Sequence, residues 1–171
     1  MLGAIAGDVI GSVHERARTK TKEFPLFVPE STFTDDTVLT VAVAESLLRP
    51  RDYVDALHDF FHAYPTVGYG PTFYRWCICE ARVPYNSWGN GSAMRVSAVA
   101  YARDTLDDVL AEAKRSAEVT HTVSPRRLRR RSRSENEPAF DKTLKKFKRK
   151  ISKNFHLACS TKAFLRFFVY D

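Results

Sequence analysis

Cysteine is scarce in this 171-residue chain, and the shortage excludes two classes of protein. Three cysteines, Cys77, Cys79 and Cys159, are too few for the disulfide framework of a small secreted domain. The C-x-C pair also lacks the second pair of ligands that a structural zinc site needs. We therefore expect the cysteines to be reduced and structural.

Long hydrophobic runs are also missing. The opening residues 1–13 are apolar, but no basic residue precedes them and Asp8 interrupts the run, which does not fit a secretory signal peptide. No other stretch approaches the roughly 20 apolar residues of a membrane-spanning helix. We expect a soluble, cytoplasmic protein with no membrane partner, and the 44% hydrophobic content suffices for a single packed domain.

Net positive charge is absent from the first part of the chain. Residues 1–122 hold 12 Lys and Arg against 16 Asp and Glu, a net charge of −4, whereas residues 123–171 hold 15 against 4, a net charge of +11. All seven glycines lie at or before Gly91. We divide the chain into a globular part, residues 1–122, and a basic tail of unrelated composition, residues 123–171, which is irregular or partly helical.

Alternating strand patterns are missing as well, so the sequence predicts an all-α fold. Gly3, Gly7 and Gly11 recur every four residues in the first helix, and we expect this glycine face to let another backbone approach closely. Polar and proline-containing residues 16–31 predict a loop. Apolar periods and capping signals predict further helices over 36–48, 51–64, 73–81, 93–102 and from Thr105 to about Val119.

The sharpest local feature is Thr34-Asp35-Asp36 at the start of a helix. Adjacent carboxylates repel each other, and a cation or a helix N-terminus offsets that repulsion. Carboxylate and hydroxyl oxygens suit Mg²⁺ or Mn²⁺ better than zinc. The alternative is that Thr34 or Asp35 only caps the helix and Asp36 occupies its first turn.

Gly89-Asn90-Gly91-Ser92 forms a second candidate, a turn-rich loop that leads into a helix. Glycines let a backbone approach a phosphate or ribose closely, and a helix N-terminus favours an anion. Asn-Gly is equally typical of an ordinary tight turn. His121 has a structural interpretation, because a histidine at a helix C-terminus interacts favourably with the helix dipole. A second interpretation, as a ligand contact, depends on the resemblance described next.

Four segments in order resemble the ADP-ribosylglycohydrolase family: residues 7–15 (GDVIGSVHE), 33–37 (FTDDT), 89–95 (GNGSAMR) and 117–121 (AEVTH). The resemblance covers most of residues 1–122. It implies a compact all-α multi-helix bundle, incomplete here, with a pair of Mg²⁺ or Mn²⁺ ions at the base of an ADP-ribose cleft. It also implies hydrolysis of the glycosidic bond between the ribose C1″ and a protein side chain or small acceptor.

The resemblance assigns roles to particular residues. It implies metal binding by Thr34, Asp35 and Asp36, and catalytic roles for Glu15 and Asp36. Contacts to ADP-ribose are implied for Gly89, Asn90, Gly91, Ser92, Met94 and His121. An ADP-ribosylated protein or a small ADP-ribose conjugate is the expected partner.

The family pattern stops after His121. Nothing later matches the second ligand cluster of the form D-x-D-T, and Ser124-Pro125-Arg126-Arg127 stands where the family often continues with H-P-E-G. Codons for these four residues, read one nucleotide later, can encode His-Pro-Glu and the start of Gly. We interpret the tail as a frameshift, a mis-assigned splice or an alternative exon, and expect impaired hydrolysis. A pseudoenzyme that binds ADP-ribose without cleaving it is the alternative.

A third hypothesis makes the tail a genuine module that binds nucleic acid through residues 124–153. Its lysines and arginines would contact phosphates and release the counterions bound there. Such binding weakens steeply as the salt concentration rises, because this release is then less favourable. We expect any RNA or DNA binding by this chain to be strong at low salt, to collapse at physiological salt and to vanish in a chain ending at Thr122. Electrophoretic mobility shifts at two salt concentrations measure this, and equal binding by the shortened chain would exclude the tail.

Overall fold

The structure, a computed structural model, describes residues 1–121 apart from positions 18, 22 and 50. This part of the chain is helical and contains no strand, which confirms the all-α prediction. The helices are α1 (Leu2–Ala17), α2 (Asp35–Leu48), α3 (Tyr53–Ala63), α4 (Pro71–Ile78), α5 (Gly91–Met94), α6 (Val99–Ala102) and α7 (Leu106–His121), with a 3₁₀ turn over Val96–Ala98. The predictions made for residues 123–171 lie outside the described residues.

Two predicted helices differ from the observed ones by more than small shifts at their ends. Helix α4 begins at Pro71, two residues before the predicted start, because proline fits the first helical position, where its missing N–H would have no partner. The segment predicted as one helix over 93–102 is instead divided into α5, the 3₁₀ turn and α6. Half of the predicted capping box is present: Thr105 Oγ1 accepts the Asp108 N–H at 3.2 Å, while the Asp108 carboxylate accepts the Thr105 hydroxyl at 2.6 Å.

Helix α2 lies at the centre of the fold and packs against most of the other helices. One side of it joins α3, α4 and α5 in the main hydrophobic cluster, where side chains such as Leu39, Leu57 and Phe61 are fully buried. The adjoining side contributes Val43 to a second cluster with Tyr53, α6 and α7. Because both clusters share α2, the N-terminus of this helix is held in a defined place.

The two described cysteines lie in different environments. Cys77 is fully buried in the main cluster, as expected of a structural cysteine, whereas Cys79 is exposed at the end of α4. Residues two apart on a helix point to nearly opposite faces, so only one of the pair can face the core. Both are free thiols.

The expected close approach at the glycine face of α1 is not found. A Cβ atom placed on Gly7 or Gly11 would meet no atom within 4 Å among the described residues. Gly68 is a clearer requirement for glycine, because its φ of +99° is a conformation that other residues rarely adopt. It follows Val67, whose carbonyl accepts a hydrogen bond from the Asp35 N–H of α2.

Among the described helices, none is both long enough and apolar enough to cross a bilayer.

A buried charge network fixes α7 to the rest of the fold. The Glu112 carboxylate is 7% exposed and accepts hydrogen bonds from the Tyr53 hydroxyl at 2.6 Å and from Arg103 at 2.7 Å. Arg115, one turn along the helix, pairs with it at 2.7 Å. These contacts hold the pKa of Glu112 below its usual value against the opposing effect of burial.

We expect Glu112→Ala to lower the free energy of unfolding by about 3 kcal/mol, because it leaves two guanidinium groups and a buried hydroxyl without their shared acceptor. Glu118→Ala is the matched control on the same helix, since its ion pair with Lys114 at 3.7 Å is solvent-exposed and is worth less than about 0.5 kcal/mol. Urea denaturation measures both variants. Equal losses would show that the Glu112 network does not stabilise the fold.

Candidate functional site

The first turn of α2 has all of its backbone N–H groups bonded within the protein. The Thr34 N–H donates to the Asp8 carboxylate at 2.8 Å, and the Asp35 N–H donates to the Val67 carbonyl at 3.1 Å. The Asp36 N–H donates to Thr34 Oγ1 at 3.3 Å, and the Thr37 N–H donates to Asp8 at 3.1 Å. No N–H in this turn remains for an anion, although helix N-termini commonly bind one.

Asp8, on α1, supplies more of these bonds than any other side chain. Besides the two backbone N–H groups, it accepts the hydroxyls of Thr34 and Thr37, each at 2.5 Å. Asp8 is buried, and its partners lie 26 and 29 residues away in the sequence. The sequence motif contained Asp8, but residue-by-residue reasoning missed its role because the contact joins two helices that are distant in the chain.

Asp35 and Asp36 lie side by side in this turn and carry an unfavourable charge. Burial, the charge of Asp36 and the charges of Glu15 and Asp8 raise the pKa of Asp35 to about 7, and the backbone N–H of Asp35 offsets this only in part. Burial, followed by the charges of Asp8 and Glu15, raises the pKa of Asp36 to about 6. Within the described part of the chain, neither carboxylate forms an ion pair with a lysine or arginine.

These observations bear on the two interpretations of Thr34-Asp35-Asp36. Thr34 does cap α2, as the structural alternative required. However, the helix N-terminus offsets the charge of the two aspartates only in part, because their pKa values stay raised. A bound proton or a cation would offset the remainder, and the oxygen donors present have the hardness that Mg²⁺ and Mn²⁺ prefer.

The ligand set is incomplete in the part of the chain that the structure covers. No group of three or more His, Cys, Asp or Glu side chains in residues 1–121 is arranged to hold a metal ion. Thr34, Asp35 and Asp36 therefore fit one side of a metal site and no more. An octahedral ion needs further oxygens from water, substrate or other residues.

Two further side chains lie within electrostatic range of the aspartates. Glu15 is on the exposed C-terminal part of α1, and its charge raises the pKa of both Asp35 and Asp36. Tyr69 is buried, its hydroxyl has no hydrogen-bond partner among the described residues, and the charge of Asp35 contributes to raising its pKa. The structure thus brings Glu15 within electrostatic range of the predicted metal ligands and adds Tyr69, which no sequence pattern singled out.

The glycine-rich loop is exposed at Gly89 and Asn90 and buried at Ser92, Met94 and Arg95. Asn90 begins α5 without a side-chain cap, and Gly89 N–H donates to the Ser87 hydroxyl at 3.2 Å. Met94 is 6% exposed and packs in the main hydrophobic cluster, so the structure places this residue in the core rather than on the surface of the loop. Its carbonyl accepts the Thr40 hydroxyl of α2 at 3.4 Å, which connects the loop to the helix of the acidic residues.

The C-terminal end of α7 holds this loop in place. The His121 ring pairs with the Gly89 carbonyl at 3.0 Å, and Ser87 N–H donates to the Thr120 carbonyl at 2.8 Å. Burial lowers the pKa of His121, so the neutral ring is favoured. Because the Gly89 carbonyl can only accept, the ring proton is on Nε2 and is donated to that carbonyl. His121 is thus a support of the loop, whatever further contact it makes with a ligand.

Arg95 lies beneath the loop and is the largest fully buried side chain. It donates to the Ser116 carbonyl at 3.1 Å and to Thr120 Oγ1 at 2.9 Å, while its Nε has no partner among the described residues. A Cβ atom on Gly91 would lie 3.9 Å from the guanidinium. Burial lowers the pKa of Arg95 to about 10, so the group stays charged at neutral pH and gives the loop a positive charge.

Comparisons with known proteins identify the family of the chain. The sequence model of the ADP-ribosylglycohydrolase family matches residues 1–128. ADP-ribosylhydrolase ARH3 of Mus musculus is 33% identical over 159 residues, covering 72% of this chain and 43% of that protein. ADP-ribosylhydrolase ARH3 of Homo sapiens is 32% identical, covering 72% and 44%, and that of Xenopus tropicalis is 30% identical, covering 72% and 44%.

The chain spans less than half the length of these curated relatives. The match nevertheless includes both the acidic turn of α2 and the glycine-rich loop, because both lie within residues 1–128. Proteins of this family are all-α hydrolases and are generally metal-dependent. By the extent of the match, this chain belongs to the ADP-ribosylglycohydrolase family.

Proposed function

We propose that residues 1–121 form the metal-binding and ADP-ribose-binding part of a site that hydrolyses ADP-ribosyl glycosidic bonds. The single observation that carries the proposal is the unneutralised pair Asp35 and Asp36 in a helical turn whose N–H groups are already bonded. A fold keeps two such charges adjacent at a cost, and a divalent cation removes the cost. Membership of a generally metal-dependent family supports the same conclusion.

Thr34, Asp35 and Asp36 would hold the ion, through one hydroxyl and two carboxylates. Mg²⁺ or Mn²⁺ bound there, as one of a pair, supplies electrophilic stabilisation of the charge that develops when the bond to the ribose C1″ breaks. Asp36 also lies close enough to Glu15 for their charges to interact. In this proposal Glu15, whose side chain is exposed, positions the attacking water or the leaving group.

The glycine-rich loop provides the ADP-ribose contacts in this proposal. Gly89 and Asn90 present backbone at the surface, and the buried charge of Arg95 beneath them favours a phosphate over a neutral group. Gly91 and Ser92 continue the loop into α5, while Met94 supports it from the core. His121 keeps the Gly89 carbonyl in place, and a contact of its ring with ADP-ribose belongs to the same proposal.

The expected substrate is an ADP-ribosylated protein side chain or a small ADP-ribose conjugate, since the relatives carry the name ADP-ribosylhydrolase. We infer that hydrolysis by the 171-residue chain is impaired, because the described residues hold metal from only one side of a cleft. Catalysis by positioning tolerates little displacement of the reacting groups. Binding of ADP-ribose without turnover is the alternative function, and it requires only the loop contacts proposed above.

Removal of one carboxylate tests the metal site. We expect Asp36→Ala to abolish the weak binding of Mn²⁺, because a hydroxyl and one carboxylate cannot hold the ion. Asp52→Ala is the matched control, since Asp52 caps α3 through the Val54 N–H and lies outside the acidic turn. Calorimetric titration with Mn²⁺ measures both. Equal affinity in wild type and Asp36→Ala would leave helix capping as the only role of the acidic turn.

The raised pKa values predict how stability depends on pH without metal. The folded chain binds protons at Asp35 and Asp36 more tightly than the unfolded chain, whose pKa is near 3.8. Stability is therefore greatest below about pH 4 for these groups and falls as the pH rises to about 7. We expect a loss of about 1–2 kcal/mol after allowance for solvent screening.

Thermal unfolding at pH 5 and pH 8 checks this expectation. Asp35→Asn should remove a large part of the difference, and added Mg²⁺ should raise the melting temperature at pH 8 more than at pH 5. An unchanged pH dependence in Asp35→Asn would contradict the unfavourable charge assigned to this turn.

Catalysis is tested by comparing two chains. We expect little release of ADP-ribose by the 171-residue chain with Mg²⁺ or Mn²⁺, and measurable release by a chain whose reading frame is restored after Thr122. Arginine- and serine-linked substrates provide the assay, and calorimetry with free ADP-ribose separates binding from turnover. Comparable turnover by both chains would show that a second ligand cluster is dispensable. ADP-ribose binding by both chains with turnover by neither would favour the non-catalytic alternative.

A further inference from the structure

We propose that Asp8 is a positioning residue for the metal site. Its carboxylate accepts a hydrogen bond from the Thr34 hydroxyl, so that a lone pair of Thr34 Oγ1 is left to bind the ion. This inference rests on the proposed metal site but concerns a side chain to which neither the sequence motifs nor the comparisons give a role. The observation behind it is the pair of hydroxyl hydrogen bonds to Asp8, each 2.5 Å long.

A count of hydrogen bonds at Thr34 Oγ1 defines its orientation. A threonine hydroxyl has one proton to donate and two lone pairs to accept with. The proton is donated to Asp8 Oδ1, and one lone pair accepts the Asp36 N–H at 3.3 Å. One lone pair remains, and without Asp8 the hydroxyl could rotate and direct its proton toward the cation instead.

Most of the acceptor capacity of Asp8 is already in use, three hydrogen bonds at Oδ2 and one at Oδ1, which distinguishes it from a residue whose carboxylate is open to an ion. Its two oxygens already accept four hydrogen bonds, two from hydroxyls and two from backbone N–H groups. A carboxylate that fixes the orientation of a metal-binding side chain in this way typically changes metal affinity by about 10-fold to 100-fold when it is removed.

Thr37 offers a matched control for a purely structural role. Its hydroxyl donates to the other oxygen of Asp8, and its loss removes a link between α1 and α2 without touching Thr34. If Asp8 only joins the two helices, Thr37→Val and Asp8→Asn should affect metal binding alike. If Asp8 orients Thr34, only Asp8→Asn should weaken it strongly.

The experiment measures Mn²⁺ affinity by electron paramagnetic resonance on the full 171-residue chain, with thermal unfolding in the absence of metal as a separate readout. We expect Asp8→Asn to weaken Mn²⁺ binding about 10-fold to 100-fold and Thr37→Val to weaken it less than about 3-fold. The double variant Asp8→Asn, Thr34→Val should bind Mn²⁺ no more weakly than Thr34→Val alone, because Asp8 acts through Thr34. Independent, additive losses would overturn the proposal, as would equal affinity of Asp8→Asn and Thr37→Val.

A second pair of variants decides the question if Asp8→Asn does not fold. Thr34→Ser retains the hydroxyl that donates to Asp8, and Thr34→Val removes it, so we expect near wild-type affinity in the first and a loss of about 10-fold or more in the second. Equal affinity of the two variants would overturn the role of an oriented hydroxyl. Mn²⁺ binding that is lost in Asp36→Ala but retained in Asp8→Asn contradicts this inference alone, whereas no Mn²⁺ binding by the wild type contradicts the metal site itself.

Discussion

The first turn of α2 must bond four backbone N–H groups while it holds two carboxylates side by side. Asp8, Thr34 and the Val67 carbonyl bond all four, and the helix N-terminus offsets the charge of Asp35 only in part. The two aspartates consequently keep raised pKa values. In the proposed function, this remaining charge, rather than the presence of acidic residues as such, is what would attract a metal ion to the turn.

The rest of the fold places that turn. Helix α2 contributes to both hydrophobic clusters, and the loop that contains Gly68 turns the Val67 carbonyl toward its first N–H. Asp8 of α1 bonds Thr34 and Thr37 at the start of α2, and Thr32 N–H in the preceding loop donates to Ser12 of α1. A single buried carboxylate therefore links α1 to the start of α2 and, in the inference drawn above, also orients Thr34.

Two other buried charged residues, Glu112 and Arg95, connect α7 to the rest of the fold and to the glycine-rich loop. Glu112 attaches α7 to α3 and to the residues after α6, and Arg95 crosses beneath the glycine-rich loop to the end of α7. Through Thr120 and His121, the same end of α7 holds the backbone of residues 87 and 89. The loop conformation thus depends on α7 being in place, although the two are about 30 residues apart.

The sequence alone determined the all-α class, most helix positions, the division of charge between the two parts of the chain and the family. These follow from local periodicity, capping signals and short motifs such as residues 33–37. The roles of Asp8, Tyr69 and Arg95 were decided only by the tertiary structure, as was the open space at Gly7 and Gly11. Asp8 and Thr34 are 26 residues apart, and no local pattern records which buried donor will meet which acceptor once two helices have packed. The raised pKa values of Asp35 and Asp36 have the same origin, because burial and the approach of Glu15 and Asp8 exist only in the folded chain.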